Sequence, residues 1–571
     1  MRTTMAAAIV VLIGAGAAAG QNKVTELKAL YRQGQVFLTW KELADVKGEK
    51  YEIYRGDEAI TAANLDKARK LATVAENSGA FPLEQQAKAL AAKTGIEGYG
   101  QRYIIQDNPA NDPKAMLPEG VGLFVLTVKK AGTGFYAVAP VLEGKAVPAG
   151  LAATEAVQEK VELPGAVLVW KNQAGTGAVY THWMDGETWD PMSEGNAYNF
   201  GLAVPDKYDG KEPLPVMFYG HGMGQGYSIS DTAPYCRAVW VWMGDKSGTW
   251  FFGMLNRDKT KVVNYTEQRL RWLAEWLKAE RPNQFWRVNP KLYQAHGHSM
   301  GGTMCNALAV RMGDIFTCTV SSSGATIHRR SKTWVGQAEK LWGAVDKNLP
   351  GPEGMGAWDY QDYAKYALEH PEKESAYLLL SNGKGDGSVV FEPVPDFLAA
   401  LQKAKKPFAA HWDGRGHSNN FYGNKNAGWS TFKLPLDEPL PAFANASNND
   451  DIASANTGTI NGKLEWSASG NNFDKNSADD DIVDTPEMFA MNIRSLSGPA
   501  TVDVTPRRLQ KFKGVAGKKY EWENQDCADP KAIKKVDSGT VTADKYGLIT
   551  VEKFAVGKDG WGNRLVIRPA K

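Results

Sequence analysis

Between residues 22 and about 160, apolar and polar positions alternate in short runs: Val36 to Trp40, Tyr51 to Arg55, Leu123 to Val128 and Phe135 to Val138. Alternation with a period of two predicts strands with one buried face, and several in succession predict a β-sandwich. A polar insertion, roughly Glu58 to Pro109, interrupts the series.

The pattern changes over residues 161–440. Apolar runs at Leu214 to Tyr219, Ala238 to Trp242, Leu292 to Ala295, Thr317 to Ser321, Tyr377 to Leu380 and Phe408 to Trp412 are separated by helix-length segments. Continuous apolar strands spaced in this way predict a mostly parallel sheet covered on both faces. One intervening helix is plain: Asn264-Tyr-Thr-Glu267 has the form of a capping box, Leu270, Leu273, Trp276 and Leu277 make an apolar face, and Pro282 ends it. Past Pro441, a polar linker from Asn445 to Asn456 leads into runs at Ala500 to Val504, Gly539 to Ala543 and Leu565 to Arg568. These predict a second β-sandwich over residues 445–571.

Where the run Leu292 to Ala295 meets the helix-like run Thr303 to Arg311, the chain reads Gly297-His298-Ser299-Met300-Gly301. A serine between two glycines at a strand-to-helix junction is the layout of a nucleophile elbow, in which a very tight turn lifts the hydroxyl clear of the backbone. A hydroxyl is a poor nucleophile near neutral pH, so a base must take its proton and an acid must orient that base. The glycine-rich loop after Tyr377 to Leu380 presents Asp386, and the loop after Phe408 to Trp412 presents His417. Serine, acid and histidine in this order, each after a strand, predict an α/β class fold: an α/β-hydrolase central domain flanked by N- and C-terminal β-sandwich domains. Asp413 is a rival acid, but it sits only four residues from His417 on the same loop. For the oxyanion, the backbone N–H groups of Met300 and of Met223, in the loop Gly220 to Gly226, are the candidates, with the His221 ring bracing that loop.

Composition removes several alternatives. Lys plus Arg number 66 against 64 Asp plus Glu, a formal net charge of +2, so no basic surface for nucleic acid is expected. Residues 1–20 combine Arg2, an apolar stretch and small residues near Gly20, which predicts a signal peptide and a chain that is secreted, periplasmic or at the cell surface. No later segment is long and apolar enough to suggest a membrane span. Four cysteines are too few for a disulfide scaffold, and Cys305 with Cys318 is open to either a bridge or two thiols. His296 and His298 lack the carboxylates of a zinc site, and Asp479 to Asp481 with Asp484 read as a solvated turn, so neither metal nor cofactor is expected. Among 18 tryptophans, Trp358 in the long stretch Thr326 to Ser375 and Trp412 near the base are candidate substrate contacts, as is His328, for which packing is the competing role.

Tyr198-Asn-Phe-Gly-Leu-Ala-Val-Pro205, Tyr208-Asp-Gly-Lys-Glu-Pro-Leu-Pro215 and the His-Gly loop resemble the opening of secreted esterases of the polyhydroxybutyrate depolymerase and feruloyl esterase type, akin to carbohydrate esterase family 1. The resemblance covers roughly residues 190–425, and Ser299, Asp386 and His417 fall on that family's nucleophile, acid and base. It implies an exported, metal-independent carboxylic ester hydrolase working through an acyl-enzyme, on acetyl or feruloyl esters of a polysaccharide or on a polyester. His296 and the stretch Thr326 to Ser375 depart from the plainest members. The phrasing Gln35 to Trp40, Tyr51 to Gly56 and Gly134 to Val138 resembles a fibronectin type III module. Two other readings use the same residues: a serine peptidase with this triad on an amide, and a polymer-binding protein with a dead hydrolase domain.

Overall fold

The structure is a computed structural model that describes residues 23–44, 48–82, 84–189, 192, 195, 197–234, 236–245, 248–280, 284–420, 434–467, 482–529 and 531–571. Residues 1–20, read above as a signal peptide, and Asp479 to Asp481 lie outside the described residues. Two compact units are present: one carries the described residues up to Val169 with Thr181–Thr188, the other Trp170–Tyr180 and the described residues from Tyr198 to Lys571.

In the first unit, Thr25–Arg32, Gln35–Lys41 and Val121–Thr127 form an antiparallel sheet. Arg69–Ala75, Lys50–Gly56 and Gly132–Leu142 form a second, extended by Lys145–Ala146, Ala152–Ala153 and Val157–Glu159 along its last strand. Alternation places Val36, Leu38 and Trp40 of one sheet and Tyr51, Ile53, Tyr136 and Val138 of the other in one core. Part of the polar insertion belongs to the second sheet, because Arg69–Ala75 pairs with Lys50–Gly56.

The second unit is built on part of a ten-stranded sheet that includes, in order, Ala197–Ala203, Val239–Met243, Leu214–Gly220, Val288–His298, Phe316–Ser322, Tyr377–Gly383, Phe408–Asp413 and Gly458–Ile460. The six strands from Val239–Met243 to Phe408–Asp413 pair in parallel, and Ala197–Ala203 and Gly458–Ile460 pair antiparallel with the two ends of that run. From Val239–Met243 onward, each connection up to Phe408–Asp413 steps the same way across the sheet. Right-handed crossovers therefore put the helices Tyr265–Lys278, Met300–Arg311, Tyr363–Glu369 and Val394–Lys403 on one face. The single step in the other direction, Leu214–Gly220 to Val239–Met243, carries no helix among the described residues.

That second face is covered by strands. Met217, Trp240, Cys318, Val320, Tyr377, Leu379 and Ala409 of the central sheet share a core with Phe443, Trp466, Phe489, Ile493, Val502 and Phe554 from the C-terminal segment. This segment forms a three-stranded sheet (Leu440–Ala444, Ala500–Arg507, Val551–Val556) and a six-stranded one in which Asn563–Pro569 lies between Phe489–Ser495 and Lys519–Asp526. Two buried arginines strengthen the seam: Arg507 donates to the carbonyls of Pro371 (2.9 Å) and Lys373 (2.8 Å), and Arg508 to that of Thr317 (3.2 Å).

The polar stretch Asn445 to Asn456 is accordingly packed rather than a spacer. Trp412 Nε1–H and the Lys384 ammonium both donate to the Ala455 carbonyl, at 3.0 and 2.7 Å. Gly458–Ile460 then adds an edge strand to the central sheet. Its polar side chains satisfy their own turns, as Asp451 does for Ala453 and Ser454, and such a composition reads as a linker. The expected capping box also differs: Glu267 forms a buried ion pair with Arg311 and accepts from Asn264 Nδ2 (3.0 Å). No described helix is long and apolar enough to cross a membrane.

Candidate active site

Strand Val288–His298 runs directly into helix Met300–Arg311, and Ser299 between them has φ 60° and ψ −121°. A non-glycine residue at such angles costs about 1–3 kcal/mol and persists only where its surroundings enforce it. Here the enforcement is steric. A Cβ on Gly301 would come within 1.9 Å of the Gly220 carbonyl oxygen, and one on Gly297 within 2.4 Å of the Gly301 carbonyl carbon. The turn is fastened by Ser299 N–H donating to the Ser322 carbonyl (2.9 Å) and Thr303 N–H donating to the Ser299 carbonyl (2.9 Å).

The structure brings Ser299, His417 and Asp386 together across more than a hundred residues of chain. Ser299 Oγ–H donates to His417 Nε2 at 2.9 Å, and His417 Nδ1–H donates to Asp386 Oδ2 at 2.8 Å. The other carboxylate oxygen of Asp386 accepts the backbone N–H groups of Ser388 and Val389, both at 2.8 Å. Both oxygens are thus held, and the side chain is 1 % exposed. Asp413 is engaged elsewhere, with Arg415 (2.7 Å) and the Asn420 amide (3.0 Å). Burial opposes its ionisation, but bonds from the Arg415 backbone, Asn420 and the Arg415 guanidinium outweigh that and hold the carboxyl below its ordinary value. Arg415 also donates to Ser381 Oγ (2.9 Å) and the Ser418 carbonyl (3.1 Å), closing the loop that carries His417.

Next to the elbow, loop Gly220 to Gly226 begins against the helix start, since a Cβ on Gly220 would lie 2.7 Å from Gly301 Cα. His221 Nε2 accepts from Asp245 N–H at 2.8 Å, so its Nδ1–H donates to the Gly222 carbonyl, also at 2.8 Å. Burial lowers its pKa, which fits a neutral ring serving only as a brace. Met300 opens the helix and Met223 lies beside Gly248.

The three residues read as substrate contacts are placed in packed interiors. Trp412 is 1 % exposed with its N–H on Ala455, and Trp358 is 0 % exposed with its N–H on the Gly343 carbonyl (2.9 Å). His328 is enclosed by Trp250, Trp342 and Tyr363, and burial pushes its pKa down to about 3. Large rings in a stretch without regular periodicity serve the core as readily as a cleft, so their count does not separate the two. His296 is likewise buried, between Tyr219 and Trp240. Among the described residues no cluster of three or more His, Cys, Asp or Glu would hold a metal ion, and no disulfide joins Cys305 to Cys318. His298 touches the site without having been assigned to it: its ring lies 4.7 Å from that of His417.

The sequence pattern of the prolyl oligopeptidase family matches residues 273–431, the range that contains Ser299, Asp386 and His417. Similar solved structures include an S-formylglutathione hydrolase from Agrobacterium tumefaciens, with 18 % identity and a TM-score of 0.33 over 44 % of this chain and 92 % of that one. A ferulic acid esterase shares 14 % identity over 43 % of this chain and 92 % of its own, with a TM-score of 0.29. The acylaminoacyl peptidase of Pyrococcus horikoshii shares 13 % over 72 % and 69 %, with a TM-score of 0.30. No curated protein sequence matches the chain.

Proposed function

We propose that this chain is an exported serine hydrolase of carboxylic esters, with Ser299 as nucleophile, His417 as the proton carrier and Asp386 as the residue that orients it. The observation that carries the reading is the continuous line of hydrogen bonds from Ser299 through His417 to Asp386, at 2.9 and 2.8 Å. Ser299 Oγ attacks the acyl carbonyl as its proton passes to His417 Nε2, the alcohol leaves with that proton, and water activated by the same nitrogen releases the acid. The N–H groups of Met300 and Met223 are the proposed oxyanion donors, each contributing about 3 kcal/mol. The sequence resemblance supports acetyl or feruloyl esters of a polysaccharide, or a polyester, as substrate, and a fibronectin type III-like module at the N-terminus.

An ester panel spanning short acyl, aryl and polymeric substrates, run beside Ser299→Ala, tests this. Hydrolysis lost in the variant supports the reading, and equal rates in both proteins reject it. A second reading, cleavage of amides, is favoured by the match to the prolyl oligopeptidase family. Turnover of aminoacyl-naphthylamides without ester turnover would select it.

A further inference from the structure

His298 takes no step in the reaction just described, yet it is bound into the machinery on two sides. Its ring faces that of His417 at 4.7 Å between centroids, tilted by 40°. Its Nδ1 lies 3.3 Å from Ser322 Oγ, and the same oxygen accepts the backbone N–H of Asn420 at 3.1 Å. His298 and Ser322 are register partners at the ends of adjacent parallel strands. Asn420 lies three residues beyond His417 on the loop that carries the base. That loop is fastened on one side by Arg415, through Asp413, Ser381 and Ser418, and on the other by the Ser322 hydroxyl that His298 engages.

We propose that His298 is a positioning residue: together with Ser322 it seats the His417 ring and keeps Nε2 aimed at Ser299. The proposal rests on the serine-hydrolase reading above. A base on a loop gains accuracy only from what holds it, and a displacement of about 1 Å in such a site costs roughly 10²-fold in rate. The charge of His298 fits the role. Burial, then the neighbouring His417, lowers its pKa, Asp386 raises it and Arg415 lowers it further, leaving it at about 4. Near neutral pH the ring is uncharged and does not oppose the imidazolium that forms on His417 during attack.

The test is p-nitrophenyl acetate hydrolysis, as kcat, KM and pH profile, by the full chain and by His298→Ala, His298→Phe, His298→Arg and Ser322→Ala, with fluorophosphonate labelling of each. His298→Ala is expected to lower kcat by about 10- to 100-fold with KM within about twofold, and His298→Phe, which keeps a ring against His417, to recover most of the loss. In His298→Arg a fixed positive charge disfavours the His417 imidazolium, so the acid limb of kcat/KM moves to lower pH by about 0.5 to 1 unit. A His298→Ala enzyme with wild-type kcat and pH profile overturns the proposal. Ser322→Ala, which frees Asn420 and His298 Nδ1, is expected to lower kcat by about 10-fold, and if His298→Ala does not fold, unchanged kcat in Ser322→Ala overturns the proposal instead. A wild-type chain that neither labels nor hydrolyses the ester overturns the serine-hydrolase reading itself, and the proposal with it.

Discussion

Trp466, from the C-terminal segment, lies on Tyr377 of the central sheet with ring centroids 5.0 Å apart, and on Phe443 at 5.9 Å. The three rings are buried in the core that the two segments share. Trp466→Ala opens a large cavity at the seam and is expected to cost about 3–5 kcal/mol, read as a lower urea midpoint. Deleting residues 440–571 uncovers Met217, Trp240 and Val320, and the expected product is insoluble or inactive even on small soluble esters. Full turnover of p-nitrophenyl acetate by the deletion would show that the central sheet needs no such cover.

Ser299→Ala removes the proposed nucleophile while leaving the elbow's glycines in place. Hydrolysis should fall by about 10⁴-fold or more and fluorophosphonate labelling should vanish, with thermal stability near that of the unmodified chain.

The two aspartates on neighbouring loops should separate cleanly. Asp386→Asn leaves the imidazole held by a group that no longer fixes its tautomer, and kcat is expected to drop by about 10⁴-fold. Asp413→Asn weakens the bonds from Arg415 and Asn420, which shape the loop without touching the ring. A loss within about tenfold is expected there. Comparable losses in the two variants would reassign the acid.

Acid should destabilise the fold through its buried histidines. Burial holds His296 and His328 at about 3, well below the unfolded value near 6.5. Between those values the unfolded chain binds more protons than the folded one, so stability is full above about pH 6.5 and falls as the pH drops toward 3. His328→Phe removes one of these protons. The pH dependence of the urea midpoint between pH 6.5 and 4 should be shallower in that variant, and an unchanged slope would count against a neutral His328.

Gly301→Ala should be far worse than a surface glycine change, because its Cβ would meet the Gly220 carbonyl oxygen at 1.9 Å. The backbone on both sides would have to move, shifting Ser299 and loop Gly220 to Gly226 together. Loss of hydrolysis with retained secondary structure by circular dichroism is the expected outcome.

The elbow was legible in the sequence because its steric demand falls on residues adjacent in the chain: Gly297 and Gly301 have to be small, and the serine stands between them. Asp386 and His417 were legible as polar residues at the ends of apolar strands, which is where a parallel sheet gathers its loops. The contact of His298 with His417 left no local trace, since it joins positions 119 residues apart in sequence. The strand-covered face was hidden for another reason. Alternating runs such as Ala500–Arg507 look the same in a free sandwich as in one pressed against another sheet. The connection between Leu214–Gly220 and Val239–Met243 carries no helix among the described residues, and strands from the C-terminal segment fill that side.

Asn563–Pro569 lies inside its sheet, between strands synthesised well before it. The six-stranded layer therefore cannot close until the chain has been made nearly to Lys571, and until then the tryptophan-bearing back of the central sheet is unshielded. A ribosome that has already delivered Ser299, Asp386 and His417 still holds a chain with a sticky surface. A holdase that shelters that surface during synthesis is therefore expected to raise the yield of folded protein.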